Sequence, residues 1–226
     1  MKKLFKFVPD EVPEDLGYGV KTIPEEIANI ASHGAGLLLF SIGSPLLIYK
    51  AATSNVDYYL IGCVIFCISL LMVYASSTIY HSTFRALAKR RMRILDHVSI
   101  YFLIAGSFTP FLLITVQSKS GDWAFITLWA MVLIGSVFKL FYTHKFKLAS
   151  TLAYVLMGTI SFFFLEPLEQ NLPDISYLFL RIGLYSYLIG VPFYLWRKLY
   201  FNHLVWHLFV LGGSISHFLA VWFMLN

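Results

Sequence analysis

Residues 58–80 read YYLIGCVIFCISLLMVYASSTIY, an apolar run without a charged side chain. A helix needs about 20 mostly apolar residues to cross the hydrocarbon core of a bilayer, so this run predicts a transmembrane helix. Six further stretches have a similar length and composition, at residues 28–49, 98–117, 123–142, 148–165, 176–196 and 204–225. The sequence therefore predicts an all-α membrane protein with seven transmembrane helices.

The composition indicates that lipid surrounds most of the chain. Hydrophobic residues make up 58% of the 226 residues and charged residues only 13%, with a mean hydropathy of +0.73. A soluble domain carries about 25% charged residues, so the soluble globular class is excluded. The N-terminal residues are the exception, because they are rich in charge and contain no apolar signal-peptide core. We therefore expect a cytosolic N-terminal segment at residues 1–26 and one seven-helix transmembrane domain at residues 27–226.

The basic residues indicate the orientation of the predicted helices. Of the 17 lysines and arginines, only Lys50, Lys119 and Arg181 fall at one end of the predicted bundle, and the others fall at the opposite end. Cytosolic loops carry an excess of Lys and Arg, so this asymmetry predicts a cytosolic N-terminus and a C-terminus outside. The same asymmetry explains the net charge of +5 without nucleic acid as a partner.

Several polar side chains fall inside or near the ends of the predicted spans, where such groups are costly and often mark a site. Successive spans cross the membrane in opposite directions. This brings His81, Asp96, His203 and His207 to one layer near the cytosol, although they are far apart in sequence. His203 and His207 lie four residues apart and share a helix face, as do Ser77 and His81. Two imidazoles at this spacing can bind one metal ion.

These residue types favour a zinc site. Three histidine nitrogens leave a fourth position on zinc (Zn2+) for water, which is the pattern of a catalytic site. We therefore predict His81, His203 and His207 as metal ligands, Asp96 as the proton acceptor, and Ser77 as the group that positions water or a substrate carbonyl. A single histidine at a helix end is more often an interfacial residue, so the prediction depends on the whole layer.

Other candidate residues are assigned more ordinary roles. His217 lies two to three turns deeper than the predicted ligands, too far to bind the same ion, and is expected to make a buried polar contact. His33 either covers the site or packs beside it. Cys63 and Cys67 lie about 20 Å from the histidine layer by helical rise and are expected to be packing residues.

The same residues carry a family resemblance. The segments STIYH (77–81), ILDHVSIY (94–101) and GSFTPF (106–111) resemble the haemolysin III (hemolysin III) family, which belongs to the superfamily of progestin and adiponectin receptors. HLVWH (203–207) resembles the family's seventh helix, and EEIANIASH (25–33) resembles its N-terminal signature. The resemblance covers nearly the whole chain.

The resemblance implies a zinc ion held by His81, His203 and His207, with Asp96 and Ser77 beside it. It also implies kinship with alkaline ceramidases, which are membrane enzymes with a similar set of Ser, His and Asp residues. The N-terminal segment lacks the long extension of the receptor members, which favours a bacterial protein of the plasma membrane.

Three functions remain as alternatives. The first is zinc-dependent hydrolysis of a lipid amide or ester, with membrane lipids as environment and substrate. The second is a lipid-sensing receptor in which zinc is structural. The third is a cytolytic pore, the activity from which the family takes its name. A conduction path should place polar groups along one helix face at all depths, whereas here they gather at one end.

Overall fold

The structure, a computed structural model, describes residues 21–116, 118–142, 146–196 and 198–225. Residues 1–20 of the predicted cytosolic segment lie outside these ranges. Within them the chain forms helices and no strand. The α-helices are α1 Ile23–Ala52, α2 Tyr59–Ser82, α3 Ala86–Ile114, α4 Lys119–Tyr142, α5 Lys147–Ile160, α6 Leu165–Asn171, α7 Asp174–Leu195 and α8 Asn202–Trp222, with a 3-10 segment at Ser161–Phe164.

The number of membrane spans agrees with the sequence. In the described part of the chain, seven helical segments are long and apolar enough to cross a bilayer. The fifth is composite, because α5, the 3-10 segment and α6 follow one another over Leu148–Asn171. The prediction of an all-α protein with seven transmembrane helices is confirmed.

Helix α3 begins earlier than the sequence predicted. It starts at Ala86 rather than at residue 98, and its additional turns contain Lys89, Arg90, Arg91 and Arg93. Arg and Lys are good helix formers, although they end a span that is defined by hydropathy. Asp96, which precedes the predicted span, therefore lies about three turns inside α3.

Helix α1 also begins before its apolar stretch, and a capping box fixes its start. The backbone N–H of Thr22 donates to Oε2 of Glu25 at 2.9 Å, and the backbone N–H of Glu25 donates to Oγ1 of Thr22 at 3.4 Å. Reciprocal bonds of this kind satisfy two otherwise free donors at a helix N-terminus. Residues 23–26 are therefore helical, and Glu26 has a fixed direction relative to the bundle.

The helices close into a ring. Helix α1 packs against α2 and α8, α2 against α3, and α7 against α8, while α5 bridges α3 and α7. Hydrogen bonds from Lys50 Nζ to the Trp222 carbonyl (2.5 Å) and from Tyr59 Oη to the Val221 carbonyl (2.9 Å) join the end of α1, the start of α2 and the end of α8. The opposite end of the bundle therefore gathers the starts of α1, α3 and α8 and the end of α2. We call it the histidine end.

One close helix contact yields a stability prediction. A Cβ added at Gly36 of α1 would lie 2.5 Å from ring atoms of Tyr74 and 3.1 Å from Cδ1 of Leu211. We expect Gly36→Ala to lower stability by about 1–3 kcal/mol, because both neighbours would have to move. Thermal unfolding of the purified protein in detergent measures the effect.

Gly34→Ala is the matched control on the same helix. The nearest atom to a Cβ there is Cγ2 of Thr78 at 3.9 Å, an ordinary contact. Alanine is the better helix former, so the control should unfold at the wild-type temperature or above it. Equal unfolding temperatures for Gly36→Ala and the wild type would contradict the close packing of α1 on α2 and α8.

Candidate metal centre

Three histidines converge at the histidine end. His81 from the last turn of α2 and His203 and His207 from the start of α8 form a group that could hold a metal ion. Each offers one ring nitrogen, and these nitrogens lie within 4.8 Å of one another. His81 and His207 are buried and His203 is half-buried. The structure thus brings together the three residues that the sequence singled out as ligands.

Local geometry explains why α8 presents both of its histidines here. Phe201 has a left-handed backbone, with φ of 56°, and α8 begins at the following residue. An aromatic residue rarely adopts this conformation. At Phe201 it sets the direction in which the chain enters α8. His203 then lies on the first turn and His207 one turn further on the same face.

The two buried histidines are held in the form that a metal ligand requires. Nδ1 of His81 lies 2.6 Å from Oε2 of Glu26, and Nδ1 of His207 lies 3.1 Å from Oγ of Ser32. Nε2 of His81 is buried and has no hydrogen-bond partner among the described residues. A carboxylate that accepts from Nδ1–H leaves the Nε2 lone pair free for a metal and fixes the ring. The donor set therefore fits a zinc ion, for which neutral imidazole is a preferred ligand.

Glu26 is a functional residue that the sequence analysis missed, because it was assigned to the polar N-terminal segment. Its Oε1 also accepts a hydrogen bond from Nζ of Lys89 at 2.9 Å, so both carboxylate oxygens are engaged. One signal was present in the sequence: Glu26, Asn29 and His33 recur at three- and four-residue intervals, the pattern of one helix face.

Removal of this carboxylate should weaken the metal site. We expect Glu26→Ala to lower zinc affinity roughly 10- to 100-fold, the usual effect of losing the partner of a ligand histidine. Competition with a chelator on the purified protein measures the affinity. Asp57→Ala is the matched control, because it removes an exposed carboxylate in the loop between α1 and α2, at the opposite end of the bundle. Unchanged zinc affinity in Glu26→Ala would show that this carboxylate does not support the site.

Asp96 and Ser77 lie in the same chamber as the histidines. Both side chains are buried, and both line a cavity that His203 and His207 also line. The Asp96 carboxyl is a near neighbour of the Ser77 hydroxyl and the His81 ring. The Ser77 hydroxyl therefore lies both beside the Asp96 carboxyl and on the cavity wall.

A buried lysine, Lys139, lies near Asp96. Lys139 of α4 is only 2% exposed, lies within electrostatic range of Asp96, and has its Nζ 5.8 Å from the ring centre of Tyr154. From the sequence alone, Lys139 is only one of the basic residues that indicate the orientation of the helices.

His33 lies directly against the candidate ligands. Its ring stacks on His207 with centroids 3.5 Å apart and an interplanar angle of 25°. Its two ring nitrogens and the side-chain amide of Asn29 are buried without hydrogen-bond partners among the described residues. Of the two roles left open for His33, the stacking supports covering the site, and the residue also lines the cavity.

The cavity runs from the histidine end into the interior of the bundle and has a volume of about 110 Å³. A water molecule needs at least about 10–15 Å³ on this measure, so the cavity can hold several waters or part of a chain. Its middle walls are apolar, with Ile100, Leu103, Ile104 and Val210 among them, and His217 lines its deep end. Cys63 and Cys67 are buried, free and remote from this lining, in agreement with their predicted packing role.

Comparison with known proteins identifies the family. Residues 21–218 match the family model described as haemolysin-III related. The chain is 40% identical over 202 residues to "Hemolysin-3 homolog" of Bacillus subtilis (strain 168), covering 89% of this chain and 95% of that protein. It is 38% identical over 201 residues to "Hemolysin-3" of Bacillus cereus, covering 89% and 92%.

A more distant relative lies in the wider superfamily. The human "Monocyte to macrophage differentiation factor" is 25% identical over 211 residues, with coverage of 89% of this chain and 84% of that protein. The resemblance expected from the motifs is thereby confirmed, and the histidine-end residues lie inside the matched region. The chain belongs to the haemolysin III family of multi-pass membrane proteins.

Proposed function

We propose that this protein is a zinc-dependent hydrolase that cleaves a lipid amide or ester within the membrane. The observation that carries the proposal is the position of the three histidines, which lie near Ser77 and Asp96 at one end of a cavity whose middle walls are apolar. Three protein ligands leave a coordination position open, as in catalytic zinc sites. A site of purely structural zinc is usually closed by a fourth protein ligand.

Each residue has a role in this proposal. His81, His203 and His207 hold zinc, which when bound supplies a Lewis acid and a water acidified toward pKa ~7. The Asp96 carboxylate accepts the proton that the attacking water loses. The Ser77 hydroxyl donates a hydrogen bond to the carbonyl oxygen of the substrate, on which negative charge develops. The apolar cavity walls take up the acyl chain and exclude bulk water.

The test is a substrate screen on metal-loaded protein. The chain is reconstituted into lipid nanodiscs at full zinc occupancy and offered a panel of N-acyl and O-acyl lipids, and released fatty acid is quantified by mass spectrometry. We expect release from at least one class, loss of release with a chelator, and its return with zinc. Full zinc occupancy without turnover across the panel would reject the hydrolase and favour a lipid-sensing receptor with structural zinc.

We also propose that the histidine end faces the cytosol of a bacterial cell and that the chain lies in the plasma membrane. Most basic residues of the described part gather at this end, including Arg85, Lys89 and Lys198, and cytosolic ends of membrane helices are rich in Lys and Arg.

Cysteine labelling of intact cells tests this orientation. A membrane-impermeant maleimide should label Asn55→Cys, which is exposed in the loop between α1 and α2, and should not label Ser82→Cys at the histidine end. The native Cys63 and Cys67 are buried and give little background. The reverse labelling pattern would invert the orientation.

A further inference from the structure

The deep end of the cavity contains a histidine that the proposed reaction does not use. His217 of α8 is 2% exposed and lines the cavity. Neither ring nitrogen has a hydrogen-bond partner among the described residues. The backbone of Leu180 lies nearby, but a carbonyl there could accept from only one of the two nitrogens. The expected buried polar contact of His217 is therefore incomplete, and a buried polar group without a partner is costly.

Three hydroxyl groups line the cavity at the same end. The ring of Tyr187 meets the ring of His217 edge-on, with centroids 5.3 Å apart. Ser107 and Ser161 donate their hydroxyl protons to carbonyls of their own helices, at Ile104 (3.1 Å) and Gly158 (2.5 Å), and so retain acceptor lone pairs. We call these four cavity residues the deep polar tier: Ser107, Ser161, Tyr187 and His217.

The deep polar tier lies at one depth on two walls of the cavity. Helices α3 and α8 both begin at the histidine end and run in the same direction. At 1.5 Å per residue, His217 lies about 15 Å beyond His207, and Ser107 lies about 16 Å beyond Asp96. The walls between the two levels are apolar, as described above. The cavity is thus polar at the metal centre, apolar in the middle and polar again at its deep end.

We propose that the deep polar tier binds a hydroxyl group in the middle of a lipid chain whose head lies at the metal centre. The position of the head rests on the function proposed above. An extended chain advances roughly 1.2 Å per bond, so about 12 bonds separate the head from this group. An unsubstituted chain would cover His217 with methylene groups and leave Nδ1 unpaired, whereas a hydroxyl would pair it. Nε2 is on the edge of the ring that packs against Gly183.

A pair of fatty acids that differ in one hydroxyl tests the proposal. Stearate and stearate hydroxylated at its twelfth carbon compete with a fluorescent fatty acid for the zinc-loaded, full-length protein in detergent. We expect the hydroxylated acid to bind about ten-fold more tightly, which corresponds to one additional buried hydrogen bond. Stearate hydroxylated at its second carbon places the hydroxyl near the head, and any advantage it shows should be independent of His217.

Two variants test whether the deep polar tier causes the tighter binding of the hydroxylated acid. His217→Leu and Ser107→Ala should each reduce the advantage of the hydroxylated acid, while the zinc content remains that of the wild type and stearate binds at least as tightly as to the wild type. The comparison of the two acids on the wild-type protein does not depend on either variant, so poor folding of a variant does not affect it. Equal wild-type affinities for the two acids, an advantage that survives both substitutions, or no binding of either acid would each overturn the proposal.

This result is separable from that of the substrate screen. A preference for the hydroxylated acid without turnover of any lipid supports the deep polar tier and rejects the hydrolase. Turnover without the preference supports the hydrolase and rejects the tier as a binding site.

Discussion

Purified His207→Ala protein should contain no stoichiometric metal, whereas the wild-type chain should carry about one zinc per molecule. His207 is one of three converging imidazoles, and its Nδ1 is already engaged by Ser32, which leaves Nε2 for the ion. Loss of a ligand removes a zinc–nitrogen bond outright. The decrease in affinity should therefore exceed the roughly 10- to 100-fold loss expected from a supporting residue such as Glu26. Elemental analysis of protein purified in detergent measures the content.

His217→Ala is the matched control for this experiment. It removes the same side chain from the same helix, and that side chain is also buried, but it lies about 15 Å from the candidate ligands. The control should retain zinc at the wild-type level. Wild-type protein without stoichiometric zinc, or His207→Ala protein with unchanged zinc, would show that the histidines are not a metal site. Circular dichroism of both variants separates metal loss from unfolding.

The fold was predictable because hydropathy reports directly on the bilayer. Residues 58–80 are long, apolar and uncharged, and such a run has few alternatives to a membrane helix. The other six predicted spans also agree with helices of the structure, for the same reason. The starts of α1 and α3 were missed because Lys, Arg and Glu lower hydropathy without ending a helix. Both helices continue through charged residues at the histidine end.

The candidate site was predictable only in part. The depth of a residue along its span can be counted from the sequence. This count predicts that His81, Asp96 and the α8 histidines lie in one layer. Depth does not reveal which helix faces meet. The contact between Glu26 and His81 joins residues of two different helices, and so does the stacking of His33 on His207. Such contacts depend on the rotation of α1 about its axis, which its composition leaves open.

Asp96→Asn should abolish turnover and leave zinc in place. The substitution preserves shape but removes the ability to accept a proton, and general-base catalysis typically contributes 10²- to 10⁴-fold in rate. We expect kcat to fall by about that factor. The zinc content should remain that of the wild type, because Asp96 is not one of the converging ligands. Asp122→Asn, which removes an exposed carboxylate at the other end of the bundle, should have the wild-type rate.

In the proposed hydrolase we assign the base to Asp96 and not to Glu26, although both carboxylates lie near the ring of His81. Glu26 has one oxygen on Nδ1 of His81 and the other on Nζ of Lys89, and it does not line the cavity. Asp96 lines the cavity beside the hydroxyl of Ser77, where a substrate carbonyl would lie in the proposed reaction. We therefore expect Glu26→Gln to bind zinc more weakly but to reach the wild-type rate of hydrolysis once zinc is saturating. Asp96→Asn should stay inactive at any zinc concentration. A wild-type rate in zinc-saturated Asp96→Asn, or an irreversible loss in Glu26→Gln, would reassign the base to Glu26.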